Sequence, residues 1–194
     1  SFPTRRSSDL ERELIEKYGV SKSPVREALI ELCNENVLVS RPRMGYQIRP
    51  ISMKEISDIV ELRVILELAA LRKTFTILDD HHIQLLKENL SRASEIHEGK
   101  NMMKHWKSNI SFHLLLCSFC GNSQIYSETE RALKFSYRGA IQYFSVSWNR
   151  RHDTKAQRHK KLIEAMEMRD LEKSLEILKE DIENLKQEIL EEFC

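Results

Sequence analysis

The sequence has little glycine and little proline, 5 and 4 residues in 194. With 31% of residues charged, that scarcity favours a mostly helical protein. It also lacks a long hydrophobic run. The longest uncharged apolar stretch, around Leu114–Cys120, is far below the roughly 20 residues of a membrane span. The N-terminus shows no apolar core of a signal peptide. Neither charge sign is in excess: 31 Lys+Arg face 30 Asp+Glu, a net +1. This excludes a grip on nucleic acid through bulk charge alone and leaves room for a small basic face. Cysteine is scarce. Cys33, Cys117, Cys120 and Cys194 are irregularly spaced, which argues against a disulfide scaffold and for a reducing compartment, the cytoplasm. Cys117 and Cys120 form a C-x-x-C without the second pair a zinc ribbon needs, and read better as two half-buried helix cysteines. What is present is a 41% hydrophobic content, enough for a core, with none of the charge imbalance of a disordered chain. The length suits one large domain or two small ones.

The patterning changes near Pro50. Before it, residues 9–17 predict a helix, with Ser8 or Asp9 as cap, a stripe of Leu10, Leu14 and Ile15, and Gly19 as its stop. A second helix starts at Ser21 or Ser23, with Pro24 in its first turn and Glu27 placed to help the cap. Its apolar face is Val25, Ala28, Leu29, Leu32 and Cys33, and Asn34–Asn36 ends it. Val37–Val39 and Tyr46–Ile48 read as short strands joined by a tip at Arg41–Gly45. After Pro50, helices are expected over about 52–75, 79–98, 101–120, 122–146, 154–168 and 170–192, with Asp79, Asn122 and Asp170 as caps. Ile56, Ile59, Val60, Ile65, Leu66 and Leu68 give one buried stripe; Leu171, Leu175, Leu178, Ile182, Leu185 and Ile189 give another. The last stripe, under three heptads, fits a bundle better than a coiled coil.

Helix, tight turn, helix and two-stranded wing form the winged helix-turn-helix layout, whose second helix presents its N-terminal residues to the major groove. Here those residues are Ser21, Lys22, Ser23 and Arg26; Arg12 stands on the preceding helix, Arg41 and Arg43 on the wing, and Gly45 permits a tight turn or close backbone approach. Ordinary solvated charges on a small domain would look the same by pattern alone. The runs Leu10-Glu-Arg-Glu-Leu14, Tyr18-Gly-Val-Ser-Lys-Ser-Pro-Val-Arg-Glu-Ala-Leu29 and Gly45-Tyr-Gln-Ile48 resemble the DNA-binding domain of GntR-family bacterial transcription regulators. The resemblance implies DNA contacts at Arg12, Lys22, Arg26 and Gly45; Ser23 on the second helix and Arg43 on the wing are DNA-contact candidates by the layout. Family members usually carry Arg where this chain has Lys22; Lys holds a phosphate but loses bidentate guanine reading, so a shifted operator preference is expected. The family's winged domain also begins some 25–30 residues earlier, with a helix that packs behind the other two. The opening Ser1-Phe-Pro-Thr-Arg-Arg-Ser-Ser-Asp9 looks like a non-native, adapter-derived segment, the rival being a natural basic arm. The expectation is therefore a partial winged domain over 10–50 without its first helix, poorer packing of Leu14, Ala28 and Leu32, and weak DNA binding.

Residues 51–194 resemble the FCD ligand-sensing domain of the FadR subfamily, through Glu61-Leu-Arg63…Glu67, Asn109-Ile-Ser-Phe-His113, Gly121-Asn122, Arg158-His159-Lys-Lys-Leu-Ile163 and Asp181. Metal-containing members place an Asp and three His inside the bundle, the first pair at i, i+4 on one helix face. The matching positions are Asn109, His113, His159 and Asp181, so an amide replaces the family's Asp and an Asp its last His. Two imidazoles, a carboxylate and an amide oxygen suit a divalent zinc, nickel or manganese with open positions for an acidic effector. A metal-free polar cavity with hydrogen-bonded His113 and Asp181 is the alternative. Arg63 faces the interior by periodicity and needs an anion, either Glu67 or an effector carboxylate. Tyr137 and Arg138 are further effector-binding candidates, and Cys117 a core thiol beside the pocket. His81, His82, His97, His105 and His152 are expected to face solvent.

The fold expected is mostly α: an incomplete winged helix-turn-helix followed by an all-α antiparallel bundle of six to seven helices. The function expected is a ligand-responsive transcription regulator and not an enzyme. Its homodimer would bind pseudo-palindromic double-stranded operator DNA and sense a small carboxylate. Two rivals stand beside it. A stand-alone metabolite or metal sensor would show no operator shift. A hydrolase using metal-activated water would need a general base and would respond to a substrate screen.

Overall fold

A computed structural model describes residues 7–96, 102–144 and 155–191. Arg5, Arg6, His97, His152 and Cys194 lie outside the described residues. The chain divides into two compact units, Ser1–Pro50 and Ile51–Cys194.

In the first unit, α1 (Ser7–Tyr18) and α2 (Lys22–Asn34) precede a hairpin of β1 (Leu38–Arg41) and β2 (Gly45–Ile48). Ser21 is the N-cap of α2 with an extended backbone, but its side chain makes no capping bond. Ser23, the other expected cap, lies inside the helix and instead donates from its hydroxyl to Glu27 Oε1 at 3.1 Å. Pro24 fits because the first turn has no intrahelical acceptor for its missing N–H. Asn36 takes the left-handed backbone (φ 56°) that closes α2. The Val37 N–H then returns to the Leu32 carbonyl at 2.9 Å. The strands pair antiparallel, Leu38 with Ile48 and Arg41 with Gly45, one residue later at the first strand than the apolar run suggested. Gly45 has φ 91°, a value that strains any side chain. Among the described residues of the unit the buried hydrophobic side chains are Val25 and Leu29; Leu14 and Leu32 are half-buried and Ala28 is exposed.

The second unit has six helices among the described residues: α3 (Met53–Phe75), α4 (Asp80–Ile96), α5 (Met102–Ser118), α6 (Ser123–Phe144), α7 (Lys155–Glu167) and α8 (Leu171–Glu191). Their starts are chemically marked. Ser52 and Glu55 form a reciprocal capping box on α3. Asp79 accepts the His82 N–H at 2.9 Å, Asn122 accepts those of Gln124 and Ile125, and Asp170 that of Lys173. α3 packs against α5, α6 and α8, and α7 against α4 and α8. The α8 stripe is buried as expected from Leu175 to Ile189, with Leu171 half-buried, so it is a bundle helix. On α3 the buried face is Ile56, Val60, Arg63, Glu67, Ala70, Leu71 and Thr74. Of the expected stripe, Ile56 and Val60 are buried and Ile59, Leu66 and Leu68 half-buried, but Ile65 is 60% exposed, because the polar pair Arg63/Glu67 occupies the inward face instead. Where α3 meets α6, Gly139 allows a close approach; a Cβ there would lie 2.3 Å from Ile56 Cδ1. Cys117 and Cys120 are fully buried rather than half-buried and pack with Ala70 and Ile125.

Candidate functional site: a buried imidazole–carboxylate cluster and a basic helix end

Four helices bring charged groups together inside the bundle. Arg63 and Glu67 lie one turn apart on α3, Asn109 and His113 one turn apart on α5, His159 on α7 and Asp181 on α8. All six side chains are buried, Arg63 at 2% and Glu67 and His113 at 0% exposure. Arg63 Nε donates to Glu67 Oε1 at 2.7 Å. Glu67 Oε2 is 2.5 Å from His113 Nδ1. His113 Nε2 lies 3.2 Å from Asp181 Oδ2, and His159 Nε2 lies 3.5 Å from the same oxygen. Phe112 stacks on the His159 ring at 3.9 Å and 10°, fixing its plane. The outer edge is Arg158, whose Nη2 donates to Asn184 Oδ1 at 2.9 Å while Nη1 stands 3.9 Å from Asp181 Oδ1.

Burial alone would push the Glu67 carboxyl up, but the Arg63 guanidinium and His113 outweigh it and hold it below the usual range. Burial likewise opposes ionisation of Asp181, yet His159 and His113 bring it well below an ordinary aspartate. Burial disfavours a charged His113, while Glu67 and Asp181 raise it. With Nδ1–H directed at Glu67, the second nitrogen of His113 faces a carboxylate it cannot donate to unless it too carries a proton. The cluster thus sets Arg63 against Glu67 and, at its edge, Arg158 at 3.9 Å from Asp181, and the space between the imidazoles and Asp181 accommodates a further positive charge, either a proton on an imidazole or a cation.

The donors fit a divalent cation there. The ligand atoms of His113, His159 and Asp181 all lie within 4.8 Å of one another; adjacent ligands on tetrahedral zinc stand about 3.3 Å apart. Glu67 supplies the carboxylate that orients a metal-binding histidine from behind. Asn109 Oδ1, one turn before His113, is buried without a hydrogen-bond partner, as are Asp181 Oδ1, Arg63 Nη2 and Ser136 Oγ. The structure therefore gathers His113, His159, Asp181 and Arg63. Tyr137 is half-buried with its ring 6.5 Å from that of Trp106, and the Arg138 guanidinium lies 5.7 Å over the Phe135 ring.

Two histidines differ from expectation. His105 is buried, edge-on to Trp106, because it lies one turn before Asn109 on the inward face of α5. His82 is half-buried against Phe119 and its Nδ1 is 2.6 Å from Asp79 Oδ1; His81 is exposed. Arg158 was not singled out in the sequence as a site residue, though its place beside His159 was visible.

In the winged unit, Lys22, Ser23 and Arg26 sit exposed on the first turns of α2, and Arg12 is exposed on α1. Glu11 is 6% exposed beneath them. Its Oε2 accepts from Arg26 Nε at 3.1 Å and stands 3.7 Å from Lys22 Nζ. Arg43 is exposed at the wing tip with φ 65°, and Gly45 beside it is buried.

A winged helical module carrying cations on its second helix, followed by a helical bundle with a buried polar cluster, defines the class of two-part ligand-responsive transcription regulators. Residues 7–48 match the model of bacterial regulatory proteins of the gntR family, and residues 58–184 match the FCD domain. The chain belongs to the GntR family and carries an FCD domain. It is 26% identical over 184 residues to the uncharacterized HTH-type regulator YdhC of Bacillus subtilis, covering 94% of this chain and 76% of the relative. It is 24% identical over 185 residues to the HTH-type transcriptional repressor RspR of Escherichia coli, covering 92% and 80%. Among solved structures, E. coli McbR/YncC superposes with a TM-score of 0.80 at 18% identity over 100% of this chain and 89% of that one. The FCD domain of TM0439, solved in a metal-free form, gives 0.57 at 21% over 74% and 97%. At these identities the structures establish the shared fold.

Proposed function

We propose that the protein regulates transcription through a small organic acid sensed in the FCD domain at a divalent metal, zinc, nickel or manganese. The observation that carries this is His113: Nδ1 is committed to Glu67, and Nε2 shares the Asp181 carboxylate with His159. His113, His159 and Asp181 would hold the ion, with Asn109 Oδ1 as a further donor. A bound metal would supply a Lewis-acidic anchor for an effector carboxylate. Arg63 orients the same region, and its buried Nη2 gives an acid a second point of attachment; Tyr137 and Arg138 are outer candidates. The site reads as a sensor and not a catalyst: Asp181, which faces both imidazoles, would be a ligand, and Glu67 is held by two donors and is not poised as a general base.

Acting in the cytoplasm as a homodimer, two winged units would grip a pseudo-palindromic operator with Arg12, Lys22, Ser23, Arg26, Arg43 and the Gly45 turn. The effector biases their placement only through different affinity for two arrangements of the dimer. Metal analysis of protein purified without a histidine tag, with melting curves in added zinc, nickel and manganese, tests the sensor. Stoichiometric metal and a raised Tm are expected. No metal and no shift with any ion would overturn it.

A further inference from the structure

Glu11 is the one acidic side chain buried in the winged unit among the described residues. It lies under the N-terminal turns of α2, with one carboxylate oxygen serving two cations spaced i, i+4: Arg26 Nε at 3.1 Å and Lys22 Nζ at 3.7 Å. Those cations keep 55% and 60% of their side chains exposed. The carboxylate is thus on the inner side and the cationic ends are on the outer side.

An arginine guanidinium has two hydrogen-bonding edges. One includes Nε; the other is the Nη1/Nη2 pair, which matches guanine O6 and N7 bidentately. Because Glu11 engages Arg26 through Nε, the pairing edge stays available. A free arginine loses substantial rotamer freedom when it docks, and fixing the stem beforehand removes part of that cost. The same carboxylate also lowers the positive potential that draws the helix end to phosphates of any sequence.

We propose that Glu11 is a positioning and specificity-determining residue for DNA reading: it aims Arg26 at a base edge and restrains Lys22 from indiscriminate phosphate binding. The proposal rests on the DNA-binding reading of the winged unit. It makes a prediction of opposite signs that a packing role does not. Glu11→Gln keeps the shape and one acceptor while removing the charge. Affinity for a preferred duplex should fall, and affinity for an arbitrary duplex should rise.

The test uses the full chain at low salt, where even weak phosphate-driven association is measurable. The probes are a duplex that the wild-type chain enriches from a random library and a scrambled duplex of equal composition. For Glu11→Gln, the ratio of the two affinities should drop by about 10-fold or more, the scale of one bidentate base contact. Binding to the scrambled duplex should strengthen, with the slope of log K against log salt steeper by about 0.9, one added phosphate contact. In an Arg26→Gln background, Glu11→Gln should change the ratio no further. Parallel loss of both affinities, or an undiminished effect without Arg26, would overturn the proposal. A wild-type chain that enriches no sequence and treats both duplexes alike would overturn the DNA-binding reading and this inference with it. Should the Glu11→Gln variant unfold, the wild-type Arg26 Nε–H signal decides by NMR. Slow exchange with solvent is expected, and exchange as fast as that of Arg12 would refute the positioning.

Discussion

Removing the charge of Glu67 should strongly destabilise the helical unit. The carboxylate has 0% exposure and accepts from Arg63 at 2.7 Å and from His113 at 2.5 Å. In Glu67→Gln, one acceptor oxygen remains for two donors, and the new amide NH₂ faces the other donor. Arg63, 2% exposed, is left a buried cation without its counter-ion. Breaking a buried pair from one side costs about 3–5 kcal/mol, a large part of the roughly 5–15 kcal/mol that holds an ordinary domain together. At about 2–4 °C per kcal/mol for a chain of this size, Tm should fall by roughly 6–20 °C. Adding Arg63→Met to Glu67→Gln removes the stranded cation and lets the remaining amide oxygen serve His113. The double variant should return to within about 2 kcal/mol of wild type, as expected when a buried pair is replaced on both sides. Urea unfolding in a chelator reads this cleanly, because bound metal would add its own stabilisation. Fluorescence of Trp106, 1% exposed, reports on the helical unit. A loss below about 1 kcal/mol for Glu67→Gln, or a double variant as unstable as the two singles combined, would refute the charge argument.

Further outcomes follow from the packing and the caps. Gly139→Ala trades a helix-propensity gain of about 1 kcal/mol against overpacking of about 1–3 kcal/mol on Ile56. Ile56→Val should therefore be less costly combined with Gly139→Ala than alone, and simple additivity in a double-mutant cycle would count against the contact. Asp79 caps α4, and the His82 N–H holds its carboxyl below the usual 3.8. A depressed folded value gives stability that is present above 3.8 and is lost as pH falls through the folded value. Melting temperature should thus fall more steeply below about pH 4 for wild type than for Asp79→Asn, and parallel curves would contradict this. Burial pushes the Cys117 thiol far up. A thiol reagent followed by mass spectrometry should label half-buried Cys33 well before Cys117 and Cys120; equal rates would show that the bundle opens at that end.

Local chemistry explains what was legible in the sequence. Asp79, Asn122 and Asp170 cap helices where their residue type and position predicted, since capping is decided within a few residues. The α8 stripe was legible because leucine and isoleucine recur at helical spacing along the buried face, with Ser174 and Asp181 its polar members. Arg63 was placed inward by periodicity, and Glu67 was visible as its neighbour at i, i+4. That Glu67 also holds His113, 46 positions away, is a tertiary contact with no local trace. Ile65 misled because a hydrophobic count ranks it above the buried Arg63/Glu67 pair. His105 could have been found: it shares a helix face with Asn109 and His113 at four-residue spacing. Glu11, between half-buried Leu10 and exposed Arg12, was not singled out, since an acid in a charged run reads as solvated and its partners Lys22 and Arg26 lie on the next helix.

The central claim is that a ligand in the FCD domain controls DNA binding by the winged unit. Fluorescence anisotropy of the enriched duplex tests it, titrated with metal-loaded protein in the presence and absence of a panel of small mono-, di- and hydroxycarboxylates. The account predicts that an acid which raises the melting temperature of the protein also changes its affinity for that duplex, within the roughly 5–150-fold range of ordinary coupling. An acid that binds and stabilises the protein while leaving the DNA binding curve unmoved would contradict it.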